Sequence, residues 1–226
     1  SINCFKFLVK NTKDINCKKL LSCAFAGGNY DIIHMIEKEF HGEYYKKDNN
    51  YLYQAILYMH NDLIEYILLN YPIKIDSESY IKCIYSSNYS ALLKLIELDD
   101  SDQINEFGLI GSTPLDIAAF EGYLDFLKFL LSIKKVDPKK LNSFGKTILQ
   151  SAARSNKLYI VKYIVKHKLV DIDDKGNFGF SPIRLSINYY CVGVFKYLKQ
   201  FSNDYDENQI YFDEEEEEEE DKKEDN

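Results

Sequence analysis

The chain has 226 residues, 46% of them hydrophobic, with only 4 Pro and 10 Gly, a composition that supports a packed core and excludes a loop-dominated or low-complexity body. No run of 18 apolar residues occurs, which excludes a membrane-crossing helix. The net charge of -8 conceals three blocks: residues 1–127 carry 11 basic and 18 acidic side chains, residues 128–200 carry 15 and 4, and residues 201–226 carry 2 and 14.

From the N-terminus onward one short pattern recurs. Cys4-Phe5-Lys6-Phe7-Leu8 is an apolar pair, a polar residue and further apolar residues. It returns at Ile32-Ile33-His34-Met35-Ile36, Leu63-Ile64-Glu65-Tyr66-Ile67 and Leu92-Leu93-Lys94-Leu95-Ile96. This is helical periodicity, not strand alternation. The residue before each pair serves as a phase marker: Asn3, Asp31, Asp62, Ala91, Asp125, Tyr159 and Gly193, separated by 28, 31, 29, 34, 34 and 34 residues. From Asp31 on, another helix is predicted ahead of each marker, over 20–26, 51–59, 80–86, 114–120, 148–154 and 182–188.

These helices are about ten residues or fewer, too short to persist alone in water. Each pair must therefore bury its apolar face against a neighbouring pair. Small residues near the middle of the first helices, Ala24, Ala55, Ala118 and Ala152, allow close approach. Residues 1–9 hold only a second helix, and the chain lacks an initiator Met. It is expected to be a piece of a longer or processed protein. Ser1-Ile2-Asn3-Cys4 opens no basic-then-apolar segment, so no signal peptide is read.

The C-terminal half repeats most strictly. Thr113-Pro114-Leu115 leads to Ala118-Ala119, Gly122 and Asp125-Phe126-Leu127-Lys128-Phe129-Leu130. Thr147-Ile148-Leu149 leads to Ala152-Ala153, Asn156 and Tyr159-Ile160-Val161-Lys162-Tyr163-Ile164. A third copy starts at Ser181-Pro182-Ile183 and ends in Gly193-Val194-Phe195-Lys196-Tyr197-Leu198. Pro114 and Pro182 fall in a first helical turn, after Thr113 and Ser181 as N-caps.

The stretch Gly111-x-Thr113-Pro114-Leu115-x-x-Ala118-Ala119-x-x-Gly122 resembles an ankyrin repeat, with Asp116 in place of the usual His. The likeness covers 105–200 strongly. Residues 1–104 resemble the divergent short ankyrin-like repeats of large protist families, and another helical-pair repeat stays open there. The expected fold is all-α: an ankyrin-type helical-pair solenoid over 1–203, about six repeats plus a leading half repeat, followed by a disordered acidic tail over 204–226.

The resemblance implies protein binding on the concave surface, through turn residues flanking the Gly and the pair after Ala-Ala. These are Leu109, Ile110, Ser112, Phe120 and Glu121; then Ser143, Phe144, Lys146, Arg154 and Ser155; then Asn177, Phe178, Phe180, Asn188 and Tyr189. The shorter units add Leu57, Tyr58, Ser86 and Ser87. Because aromatics and Arg dominate binding hot spots, Phe120, Phe144, Arg154, Phe178 and Tyr189 stand out.

The basic block raises nucleic acid or another polyanion as an alternative partner. Lys128, Lys162 and Lys196 share one polar slot on successive second helices and read first as a solvated face. The run Glu214 to Glu220 cannot bury apolar area; it reads as a solubilising tail, or as a segment folding back on repeats 128–200. A structural spacer within a longer protein is the remaining reading. No enzyme and no cofactor are expected: His34, His41, His60 and His167 fall in different units, and no Walker loop occurs. In Asp171-Ile172-Asp173-Asp174-Lys175-Gly176 a lysine occupies a calcium-ligand slot, so no metal is expected there. Cysteines at 4, 17, 23, 83 and 191 form no CxxC, which suits reduced core residues of a cytoplasmic or nuclear protein, expected as a monomer.

Overall fold

The computed structural model describes residues 6–7, 11, 16–40, 48–177 and 179–205. Among them every regular element is helical. The chain divides into two compact units, 1–114 and 115–226. The first holds α1 (Cys17–Gly27), α2 (Tyr30–Glu39), α3 (Asn50–Leu57), α4 (Asp62–Asn70), α5 (Ser77–Tyr85), α6 (Tyr89–Leu98) and a 3-10 turn over Gln103–Asn105. The second holds α7 (Pro114–Glu121), α8 (Leu124–Ser132), α9 (Ile148–Arg154), α10 (Leu158–Lys166), α11 (Pro182–Asn188) and α12 (Val192–Leu198). Of the leading half repeat, only residues 6 and 7 are described, both helical; residues 206–226 of the acidic segment lie outside the described residues.

The helices pair as the periodicity predicts. In the first unit α1, α3 and α5 stack side by side, and each packs its own partner α2, α4 or α6; in the second, α9 stacks on α11. Second helices bury one stripe and expose the other side. Phe126, Leu127 and Leu130 are buried in α8 while Lys128 is exposed; Ile160, Val161 and Ile164 are buried in α10 while Lys162 is exposed. First helices are enclosed more completely: residues 115–119 and 148–153 are all buried.

Every helix pair turns through the same local device. The residue closing the first helix adopts a left-handed conformation at Gly28, Met59, Ser87, Gly122, Asn156 and Tyr190, with φ between 54° and 87° and separations of 31, 28, 35, 34 and 34 residues. From the second turn on, the following N–H folds back five residues: His60 to Ala55 (2.9 Å), Asn88 to Cys83 (2.8 Å), Tyr123 to Ala118 (2.9 Å), Lys157 to Ala152 (3.0 Å) and Cys191 to Ser186 (2.7 Å). This is the Schellman closure of a helix C-terminus. The accepting residue is always small, since the chain doubles back over it. Ala55, Cys83, Ala118, Ala152 and Ser186 are fully buried, and Ala24 is 7% exposed.

This column corrects one sequence phase. The fourth marker is Ser90, not Ala91: Ala91, Leu92 and Leu95 are buried, as Leu63, Ile64 and Ile67 are, whereas Leu93 is 49% exposed. Asn88 fixes the start of that helix by accepting from the Ala91 N–H (3.0 Å), as Asn29 does from Ile32 (3.1 Å).

Buried polar groups tie successive repeats together. Asp116, 3% exposed, accepts from the Asn142 side-chain amide (3.1 Å) and from the Ser151 hydroxyl. The acid standing where the family pattern has His thus reaches into the next repeat. Thr147 and Gln150 form a capping box on α9, and Gln150 Nε2 also donates to the Phe180 carbonyl (2.6 Å). In the first unit Glu78 accepts from the Leu109 N–H (2.9 Å) and pairs with Lys82 (2.6 Å). Phe25, Tyr51 and Tyr71 close that unit's core with ring centroids 5.5–5.6 Å apart. Desolvation pushes the Tyr51 hydroxyl up to about 12. It pushes Tyr71 higher still, helped by the Glu37 carboxylate that accepts its hydroxyl.

Candidate protein-binding site

In the second unit, the turn before α9 is built like the turn before α7. Gly108 N–H donates to Ser112 O (3.0 Å) and Gly111 N–H to Gly108 O (3.0 Å); 34 residues later Asn142 N–H donates to Lys146 O (3.0 Å) and Gly145 N–H to Asn142 O (2.8 Å). The Asn142 side chain accepts from the Phe144 and Lys146 N–H groups, both at 3.0 Å. That clamp fixes the loop tip and leaves the Phe144 ring 52% exposed.

Phe144, Lys146, Phe180, Asn188 and Tyr189 converge on one furrow of about 530 Å³, floored by Gln150 and Leu185. All five are contact positions expected from sequence; Gln150 and Leu185 are not. Phe180 and Tyr189 are 45% and 47% exposed, so the furrow has aromatic walls open to solvent. Arg154 stacks its guanidinium 4.8 Å from the Tyr189 ring centroid and stiffens that wall. The furrow offers apolar contact plus donors from a lysine and an asparagine.

The remaining expected positions scatter. Ser143 and Asn177 are exposed at loop tips, and the Asn177 N–H donates to Gly145 O (2.8 Å). Ser155 turns its hydroxyl onto the Ser151 carbonyl of its own helix (2.9 Å). Phe120 and Glu121 are half-buried at the end of α7. Phe178 lies outside the described residues. In the first unit Leu109 and Ile110 are 79% and 56% exposed, while Ser112 is buried. Tyr58 is exposed beside Lys18, Lys19, Asp48, Asn50 and Gln54 in the corresponding, more polar furrow. Leu57 is half-buried, Ser87 is exposed, and Ser86 bonds back to the Lys82 carbonyl (2.8 Å).

Residues 115–209 match the family model described as ankyrin repeats (3 copies). Helix-pair stacking and this match together support an ankyrin-repeat protein. Residues 10–95 match a different model, a domain of unknown function (DUF3447). Two curated proteins of Latrodectus tredecimguttatus are similar. Alpha-latroinsectotoxin-Lt1a is 30% identical over 105 residues, 46% of this chain and 7% of that protein. Alpha-latrocrustotoxin-Lt1a is 36% identical over 76 residues, 34% of this chain and 5% of that protein. The chain thus spans less than a tenth of either relative.

Among the described residues, no group of three or more His, Cys, Asp or Glu could hold a metal ion. His34 spends its ring on Glu37 (2.9 Å), and His60 on the Ala26 carbonyl (3.0 Å). No described helix is long and apolar enough to cross a membrane.

Proposed function

We propose that this chain is a non-catalytic protein-binding scaffold whose partner docks in the aromatic furrow before and along α9 and α11. The observation that carries the reading is convergence: Phe144, Lys146, Phe180, Asn188 and Tyr189, spread over 46 residues of sequence, line a single open furrow. Rigid aromatics beside a lysine and an asparagine suit an extended peptide with one apolar anchor and a nearby carboxylate or carbonyl. We read residues 1–104 as divergent short ankyrin-like repeats. Support comes from the left-handed turn residues and the small-residue column, which recur in both units. A monomer in the cytoplasm or nucleus is proposed on five scattered cysteines that form no CxxC.

The test is selection of peptides from a random displayed library on the full chain. Binders are expected to lose at least tenfold in affinity for Phe180→Ala and for Tyr189→Ala, and less than twofold for Tyr58→Ala. Binders indifferent to the first two substitutions would remove the furrow as the site.

A further inference from the structure

Each unit also has a furrow between two successive second helices, and the two furrows are built from matching positions. In the first unit it is lined by Glu65, Leu68, Leu69, Ile75 and Leu98. In the second it is lined by Lys162, Val165, Lys166, Ile172 and Phe201. Counted from the phase residues Asp62 and Tyr159, Leu68 corresponds to Val165, Ile73 to Val170 and Ile75 to Ile172, whereas Glu65 and Leu69 correspond to Lys162 and Lys166. The apolar floor therefore belongs to the repeat architecture. What differs is the rim. Asp99 and Asp100 join Glu65 in the first furrow, against one lysine, Lys74, and Glu65 is already paired with Lys94 at 3.1 Å. Lys139 and Lys168 join Lys162 and Lys166 around the second, a space of about 840 Å³, against one carboxylate, Asp171. None of these four lysines has an ion-pair partner among the described residues.

We propose that this lysine-rimmed furrow is the docking site of the chain's own C-terminal segment: Ile210-Tyr211-Phe212 on the apolar floor, and the acidic run from Asp213 on the lysines. Four observations point to that occupant. The segment places three consecutive apolar residues directly before nine consecutive acids, 213–221, which matches an apolar floor with a cationic rim. The charge match holds for the second furrow and fails for the first. Phe201, a wall of the furrow, is only nine residues from Ile210.

The reach also closes. Tyr205 packs on Phe195 with ring centroids 5.5 Å apart, and Asp204 is held by Lys175 at 3.2 Å. At about 3.3–3.6 Å per residue, Tyr205 lies no more than about 14 Å along the chain from Phe201, while the five steps to Ile210 extend to about 17 Å. The segment can therefore return to the furrow without disturbing the Asp204 anchor. Tethering makes the local concentration of the segment about millimolar, so a weak contact suffices.

Zero-length carbodiimide coupling of the full chain tests this, because it joins a carboxylate to an amine only where they touch. Mass spectrometry of the monomer-sized product is expected to find residues 213–221 linked chiefly to Lys139, Lys162, Lys166 and Lys168. Yield should fall at least fivefold in Tyr211→Ser/Phe212→Ser, which keeps every charge, and likewise in Lys162→Glu/Lys166→Glu. Links spread evenly over exposed lysines such as Lys128 and Lys134, links only in dimer-sized product, or no decrease in the serine variant would each overturn the proposal. So would absence of links together with protection of the four lysines from acetylation by a dT oligonucleotide, which would assign the furrow to phosphates.

Discussion

Gly122→Ala probes the repeated turn most directly. Gly122 sits at φ 87°, and its carbonyl accepts the Tyr159 hydroxyl of the next repeat at 2.7 Å. An L-residue in the left-handed region costs about 1–2 kcal/mol. Stiffening the unfolded chain returns about 0.4–1 kcal/mol. A Cβ at Gly122 would fall onto the Tyr159 hydroxyl, and losing that hydrogen bond adds about 0.5–1.5 kcal/mol. Central values give a net destabilisation of about 2 kcal/mol. Urea unfolding followed by circular dichroism measures it, and Tyr159→Phe closes a double-mutant cycle. In that background Gly122→Ala should cost about 1 kcal/mol less. The opposite substitution at the same turn position, Tyr190→Gly, relieves the strain on an exposed residue and should gain up to about 1 kcal/mol after the entropy of glycine is counted. A neutral Gly122→Ala, or a Tyr190→Gly that destabilises by more than about 1 kcal/mol, would refute the reasoning.

Asp116→Ala strands the Asn142 amide and the Ser151 hydroxyl in a buried site, and should cost about 2–4 kcal/mol in the same unfolding assay. Cys83→Ala should change stability by less than about 1 kcal/mol, because the column asks only for a small residue, whereas Cys83→Ile should overpack it by about 1–3 kcal/mol. Burial raises the Asp204 carboxyl, but the Ser181 and Lys175 hydrogen bonds and the charges of Arg184 and Lys175 outweigh it and hold the group below its ordinary value. Its stabilisation is therefore present above about pH 4 and lost as pH falls through the depressed value, so Asp204→Asn should cost about 0.5–1 kcal/mol at pH 7 and nothing near pH 2. Burial pushes the Cys83 thiol up as well, so iodoacetamide at pH 8 should label exposed Cys23 in the native protein and reach Cys83 only after unfolding.

The helix pairs were legible because short helices need signals that sequence displays: apolar stripes, N-caps and a left-handed closing residue. Where that closing residue is Gly122 or Asn156, residue types that favour the conformation, the repeat announces itself. Where it is Met59, Ser87 or Tyr190, the same backbone is reached against preference, and only packing enforces it. The slip at Ala91 has this origin. Ala91-Leu92-Leu93 fits two helical phases, and Ser87 hides the turn that distinguishes them. Asn88 was the available signal, since Asn29 caps the equivalent helix. Of the furrow walls, Phe144 and Phe180 were legible as turn residues flanking a Gly, and Tyr189 as one of the pair that closes a first helix. The buried floor of Gln150 and Leu185 was not, because its role depends on how far one repeat is rotated against the next.

The two outer furrows show why charge has to be read through the repeat rather than along the chain. A count over residues 128–200 gives a basic segment and suggests a broad polyanion surface. Registered on the helix pairs, the lysines separate into different kinds. Lys128 lies 5.8 Å from the Tyr163 ring centroid and covers apolar surface, and Lys175 is held by Asp204. Lys139, Lys162, Lys166 and Lys168 ring an open apolar floor. A uniform cationic face would attract any polyanion with little demand for shape. Cations around an apolar floor instead select a ligand that joins negative charge to a hydrophobic anchor, which the predominantly acidic rim of the first unit's furrow would repel. The two furrows thus share apolar positions and differ in the charge at their rims.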